Sequence, residues 1–318
     1  MSRHAPLVGG LLLTTMLAVG PRWLSPYHVS LLMTVFMYVA LAGSWNLFSG
    51  MTGYVSLGHG LFFGAGAYSF AIATSILKLP PVLGLVCGVL VPGLLGFLIG
   101  LVLLSARIRV AYFAVVMLGL NEITKTIVAN VKAIGSSYGL TVPGVPNRYL
   151  GYYVMLGIAA AVTGFAYGLQ RSRWGYGLRA ILADEVAAET IGIHTVSHKL
   201  AMFVASAVFI GLTGAMVCWN WSYVDPYMAF DLTVSFDMLV MAMFGGFGTV
   251  AGPLLGAALM SLVKEALSSS FPQLQPIIFG VLVIMLIMWC PGGIIQAFDV
   301  ARTKLHGWLR PKAREGVP

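Results

Sequence analysis

The chain is a succession of apolar runs separated by short polar breaks. A membrane helix needs about 20 predominantly apolar residues. By that measure the pattern predicts spans near 6–21, 28–48, 57–77, 82–104, 110–131, 149–170, 200–222, 233–247, 252–270 and 274–291. The first and eighth runs are short, so the count is eight to ten. No polar segment is long enough for a separate catalytic domain. The fold class expected is all-α: a polytopic transmembrane helix bundle. The bundle is expected to take residues 1–298, followed by a basic tail, 299–318.

One interior stretch breaks the oily pattern. Residues 171–199, RSRWGYGLRAILADEVAAETIGIHTVSHK, hold Arg171, Arg173, Arg179, Asp184, Glu185, Glu189 and Lys199, with His194 and His198. Within them, 183–191 has good helix formers and acidic residues near its start, where the helix dipole favours negative charge. Val186, Ala187 and Ile191 form an apolar side, and Gly192 is placed to stop the helix. A short amphipathic helix of this kind suits a groove on a partner protein. Its acidic content argues against a helix lying on an anionic membrane surface.

Composition agrees with the pattern. The 318 residues are 59% hydrophobic and 9% charged, against about 25% charged in soluble domains. The 38 glycines suit helices that approach closely in lipid. The net charge of +8 does not indicate nucleic-acid binding, because the basic residues are scattered between spans or gathered in the tail. Cys87, Cys218 and Cys290 lie in apolar runs with no framework or metal spacing and read as packing residues. The run at 7–19 follows Arg3 and has signal-peptide features, but the multi-span body favours an uncleaved first helix.

Loop charge gives an orientation. With the N-terminus inside, Arg3, Arg107, Arg109, Arg171, Arg173, Arg179, Lys199, Arg302, Lys304, Arg310, Lys312 and Arg314 fall inside. Arg22, Lys78, Lys132 and Arg148 fall outside, and Lys125 and Lys264 lie within spans. This bias supports an N-in, C-in arrangement. The 171–199 island is then cytoplasmic. The turn-rich loop 132–148 and the acidic loop 223–232 are external.

Transport needs an energy source, and the chain has no GxxxxGK[ST] phosphate loop. The GxGxxA pattern inside GGFGTVAG lacks a strand–helix context. Either a partner hydrolyses ATP or an ion gradient drives the process. Glu122 and Lys125, at i and i+3, are expected to pair. Lys264 and Glu265 are expected near a span end. Asp237 is the one deep carboxylate available to a proton relay, with a place at the outer boundary as the alternative. His194 and His198 have metal-compatible spacing only if helical, and no third ligand lies nearby. No catalytic triad or HExxH pattern occurs, so enzyme activity is not expected.

Small-residue spacings recur at Gly60–Gly64, Gly96–Gly100, Gly164–Gly168, Gly248–Gly252 and Gly252–Gly256, as close helix packing requires. Two clusters, 50–68 and 244–257, also contain helix breakers and polar groups. Each reads as a broken helix whose freed backbone groups line a cavity. The pore expectation therefore falls on Ser56, Gly58, His59, Gly64 and Gly66, on Gly245, Gly246 and Gly248, and on Glu122.

Several stretches resemble the permeases of branched-chain amino-acid ABC importers, the Liv type. They are GYVSLGHGLFFGAGAY (53–68), RVAYFAVVMLGLNEI (109–123), SSYGLTVPGVP (136–146), the island with its following helix, and MFGGFGTVAGPLLGAAL (243–259). They occur in family order, and GYVSLGHG with YFAVVML is similar to the M subunit. The resemblance implies that Asp184, Glu185, Ala187, Ala188 and Gly192 form the ATPase-coupling segment. It implies a second permease, the same or different, two cytoplasmic ATPases, an extracytoplasmic binding protein and a bacterial inner membrane with its lipid. From the residues, no cofactor and no metal are expected. Two departures, GSSYGL for a TGG-type loop and RVAYFAVVML for an RGxYFA-type helix, leave the solute open among branched-chain amino acids, urea, short amides and aromatic acids. An ion-coupled carrier and a membrane scaffold are the alternatives from other classes.

Overall fold

The computed structural model describes residues 24–271, with Pro21 and isolated positions between 273 and 295. The expected span at 6–21, most of that at 274–291 and the tail 299–318 lie outside the described residues. The other eight expected segments are helical. The first, α1 (Pro26–Trp45), starts on a proline whose fixed φ suits a first turn. It continues through a wide turn, Asn46–Gly50. Next come α2 (Gly60–Ala71), extended by a wide turn to Ile76, α3 (Pro81–Ser105) and α4 (Val110–Asn130). A two-residue strand β1 (Leu140–Thr141) precedes α5 (Arg148–Gln170). The island folds as two helices, α6 (Arg173–Ala183) and α7 (Glu185–Thr190). Then follow α8 (Thr195–Trp221), β2 (Tyr223–Val224), α9 (Pro226–Ala229), α10 (Leu232–Gly245) and α11 (Ala251–Ser270).

Among the described residues, six segments are long and apolar enough to cross a membrane: α1 with its turn, α3, α4, α5, α8, and α9 with α10. The protein is an all-helical polytopic bundle. Its centre is α8, which packs on α1, α2, α3 and α5, while α1 also joins α5, α10 and α11. In contrast α3 and α4 are peripheral, with 22% and 17% of their apolar windows buried.

What α3 buries is mainly a row spaced four residues apart: Gly84, Gly88, Pro92, Gly96, Gly100 and Leu104. Positions four apart share one face of a helix. Built Cβ atoms on Gly88, Gly96 and Gly100 would crowd Ala215, Ala207 and Phe203 of α8. The backbones approach because nothing stands between them, which is how helices associate in lipid. The Gly164–Gly168 spacing on α5 forms no such seam among the described residues, where nothing lies within 4 Å of either position.

Contacts sort the loops into two ends, as alternating spans require. At the island end, Arg107 pairs with Glu189, Tyr54 reaches Glu185, and Gln170 donates to the Gly248 carbonyl. At the opposite end, β1 pairs antiparallel with β2, in register Leu140↔Val224 and Thr141↔Tyr223. The Tyr223 hydroxyl also donates to the Tyr138 carbonyl at 2.8 Å. The two loops expected on one side are thus joined into a single lip.

Candidate functional site

The short helix α7 is set off from α6 by Asp184. This residue leaves helical backbone, and its carboxylate accepts from the Val186 and Ala187 amides at 2.9 and 3.0 Å. That is N-capping, and it ends one helix and starts the next. At the other end Gly192 turns with φ +87°, where a side chain would be strained. The sequence placed one helix over 183–191; the structure has a break at 184 because the cap competes with continuation of α6.

The acidic side chains of α7 point back into the protein. Glu185 is ion-paired with Lys199 of α8 and accepts from the Tyr54 hydroxyl at 3.3 Å. Glu189 pairs with Arg107 at 3.1 Å and accepts from the Thr195 hydroxyl at 2.8 Å. Ala188 is 2% exposed and packs inward. The outward face is what remains: Ala187, with Val186 and Ile191 each 73% exposed. A helix clamped from behind by its charges presents isolated aliphatic side chains at the island end.

Lys199 carries this clamp into the bundle. Its side chain is fully buried, and its ammonium also meets the Tyr54 hydroxyl at 3.3 Å and lies over the Tyr54 ring. Tyr54 packs edge-on to Phe113, which belongs to a ring cluster with Phe48, Phe203 and His59. His59 is fully buried; its Nε2 lies 2.8 Å from the Ser206 hydroxyl of α8, and its Nδ1 has no hydrogen-bond partner among the described residues.

The two glycine-rich clusters meet each other. Asn46 donates to the Thr249 carbonyl at 2.8 Å and accepts from the Gly248 amide at 2.9 Å. Gly50 lies against Gly248, and Trp45 donates to the Ser56 carbonyl at 2.9 Å. The Gly248 amide and the Thr249 and Ser56 carbonyls, freed at the helix breaks, are thus satisfied within the protein.

The expected pore residues occupy several environments. Ser56 and His59 are fully buried. Gly58 abuts the α4 backbone at Met117, Gly64 abuts Phe230, and Gly66 abuts the α8 backbone at Gly211. Gly245 packs on Gly252, while Gly246 and Gly248 have positive φ in the connection between α10 and α11. The glycines of this set stand where the backbones of neighbouring elements approach closely. Glu122 stands apart on peripheral α4, paired with Lys125 at 2.5 Å as expected.

One cavity of about 200 Å³ opens near the lip, between α1, α10 and α11. Asp237 and Lys264 face it as an ion pair, and Lys264 also donates to the Tyr38 hydroxyl at 3.0 Å. Lys264 and its neighbour Glu265 take different partners. On a helix, adjacent side chains diverge, and Glu265 instead accepts from Tyr27 at 3.3 Å. Asp237 is not an unpaired carboxylate, so the feature a proton relay would need is missing at that position. Among the described residues no group of three His, Cys, Asp or Glu is arranged to hold a metal ion.

Residues 27–288 match the family described as branched-chain amino acid transport system / permease component. The chain belongs to that family. The permease is similar to the high-affinity branched-chain amino acid transport system permease protein LivM of Salmonella typhimurium. They are 25% identical over 320 residues, covering 90% of this chain and 74% of that one. It is equally similar to LivM of Escherichia coli K12, 25% identical over 327 residues with the same coverage. A more distant relative is the fructose import permease protein FrcC of Rhizobium meliloti, 22% identical over 285 residues, 84% of this chain and 78% of that one. The permease is a multi-pass protein of the bacterial inner membrane and a component of an ABC transporter, not an enzyme.

Two features of the permease escaped the sequence reading. Lys199 was counted with the loop charges, yet it lies within α8. The stripe Thr195, Lys199, Met202, Phe203, Ser206 follows helical spacing and is buried throughout, so periodicity could have found it. Helix α6 was likewise read as part of a polar island. Leu178 and Ile181, three apart and inward-facing, are its signal.

Proposed function

We propose that the permease is the membrane subunit of an ATP-driven importer for branched-chain or related amino acids. One of two cytoplasmic ATPases docks on α7, a second permease completes the passage, and an extracytoplasmic binding protein delivers solute at the lip. The observation that carries this reading is the exposed pair Val186 and Ile191 on a helix held rigidly from behind. Exposed aliphatic side chains on a short, fixed helix suit a groove on a soluble partner. The chain has no phosphate loop of its own, so ATP-driven transport calls for an external ATPase.

The island end is taken as cytoplasmic on the loop-charge bias, which places both termini inside. Residues 1–298 form one membrane domain in this reading, with 171–199 as its coupling loop and 299–318 as its cytoplasmic tail. ATPase closure pushes α7, and the Glu185–Lys199 pair passes that movement to α8 and the aromatic cluster around His59. The small-residue contacts of α2 and α3 with α8 are the surfaces along which the bundle rearranges. Glu122, on peripheral α4, faces the passage shared with the second permease.

The test is reconstitution of the permease with its ATPases, partner permease and cognate binding protein in liposomes. Uptake of leucine should require ATP and the binding protein and should survive collapse of ion gradients. Uptake that collapses with an ionophore and ignores ATP contradicts the proposal.

A further inference from the structure

The cavity near the lip has a chemical polarity. One part is apolar, formed by Met37 and Leu41 of α1 and Phe63 of α2. The other part holds the Asp237–Lys264 ion pair with the Tyr38 hydroxyl beside it. Asp231 lies at the mouth, six residues before Asp237 and so about 9 Å away along the helix. Trp221 and Met228, from the lip, complete the entrance.

We infer that this cavity binds one free α-amino acid with an aliphatic side chain, the ligand's carboxylate taking Lys264 and Tyr38 and its ammonium taking Asp237. The inference deepens the importer reading and rests on it for the general class of solute. The location and the pairing come from the cavity itself.

The argument is one of charge balance. Buried charges in a membrane protein are costly unless compensated. A zwitterion can enter between Asp237 and Lys264 and replace each partner by its own opposite charge, leaving no charge unmatched. A simple carboxylic acid would satisfy Lys264 and strand Asp237. A simple amine would do the reverse. A sugar or amide could hydrogen-bond but could not substitute for either ion. Asp231 at the mouth adds negative potential on the entry side, which favours the ammonium.

Size selects in the same direction. A cavity of about 150 Å³ accepts benzene, so about 200 Å³ has room for a small amino acid. The apolar lining then favours an aliphatic side chain over a polar one.

The experiment uses the purified permease with its partner permease and ATPases and without binding protein. A Thr233→Cys reporter on the cavity wall is placed in a background lacking the native cysteines. A small methanethiosulfonate reagent labels it. L-leucine, 4-methylpentanoate and 3-methylbutylamine are compared at equal concentration. Bound ligand slows labelling by 1 + [L]/Kd, so leucine at about ten times its Kd slows it roughly tenfold. Leucine is expected to protect, and the two single-charge analogues are expected not to. Lys264→Met and Asp237→Asn are each expected to abolish leucine protection.

Equal protection by either analogue overturns the inference, as does protection that persists in both charge variants. The three ligand arms on the reporter protein decide the matter even if a charge variant fails to fold. No protection by leucine, with ATP-driven leucine uptake intact, removes the site and leaves the importer reading standing. Failure of uptake for every amino acid removes the importer reading instead, while leucine protection in the same protein would still uphold the site.

Discussion

Lys199 at the start of α8 and Glu185 on α7 form an ion pair in which only one partner is reachable by water. The Lys199 side chain is fully buried, whereas that of Glu185 is 32% exposed. The pair therefore fixes the short helix to the bundle asymmetrically. Glu185 can be rehydrated if it loses its partner; Lys199 cannot.

That asymmetry sets an order of effects. Glu185→Gln leaves a buried ammonium uncompensated and should cost about 2–3 kcal/mol. Lys199→Met removes the buried charge and lets Glu185 return to water, so it should cost about 1 kcal/mol or less. Thermal unfolding of the purified permease measures both. Equal losses would mean that Lys199 finds another counter-charge.

Packing along α3 gives a second contrast. A Cβ at Gly96 would stand 2.7 Å from the Ala207 Cβ. Gly96→Val should destabilise by about 1–3 kcal/mol through overpacking. Gly164 has nothing within 4 Å among the described residues, so Gly164→Ala should be neutral or stabilise by up to about 1 kcal/mol. Only the Gly96→Val melting temperature should fall. A drop with Gly164→Ala would reveal a neighbour from outside the described residues.

Asn46 ties the two broken helices together. It is buried, and its amide serves both the Gly248 amide and the Thr249 carbonyl. Asn46→Ala strands one donor and one acceptor at about 1–3 kcal/mol for each unsatisfied group. Asn46→Asp keeps the acceptor but sets a carboxylate against the Thr249 carbonyl, so it should not rescue. Rescue by aspartate in unfolding or uptake assays would contradict the bridging role.

Much of this was legible in the chain, for a physical reason. Hydrophobic runs must be long in lipid, so eight helices could be marked within a few residues, and loop parity sorted their connections into two ends. Asp184, Val186, Ile191 and Gly192 were readable because caps, stops and helical faces depend on local sequence. The partners of charged residues were not. Lys264 finds Asp237 across 27 positions, and Lys199 finds Tyr54 across 145; such pairings depend on how helices cross. The same limit explains the glycine clusters. Their composition marked two breaks, but only the folded chain reveals that Asn46 closes one break onto the other.

The docking face of α7 is the centre of the account, and one measurement addresses it directly. Tagged permease is purified with its ATPases co-expressed, comparing wild type, Val186→Asp with Ile191→Asp, and Ala188→Glu. Val186 and Ile191 are exposed, so their replacement should leave thermal stability within about 0.5 kcal/mol while the ATPases are lost from the complex. Ala188 is buried at 2% exposure, so its replacement should lower stability first. Full retention of the ATPases by the well-folded Val186→Asp, Ile191→Asp protein would contradict the central claim.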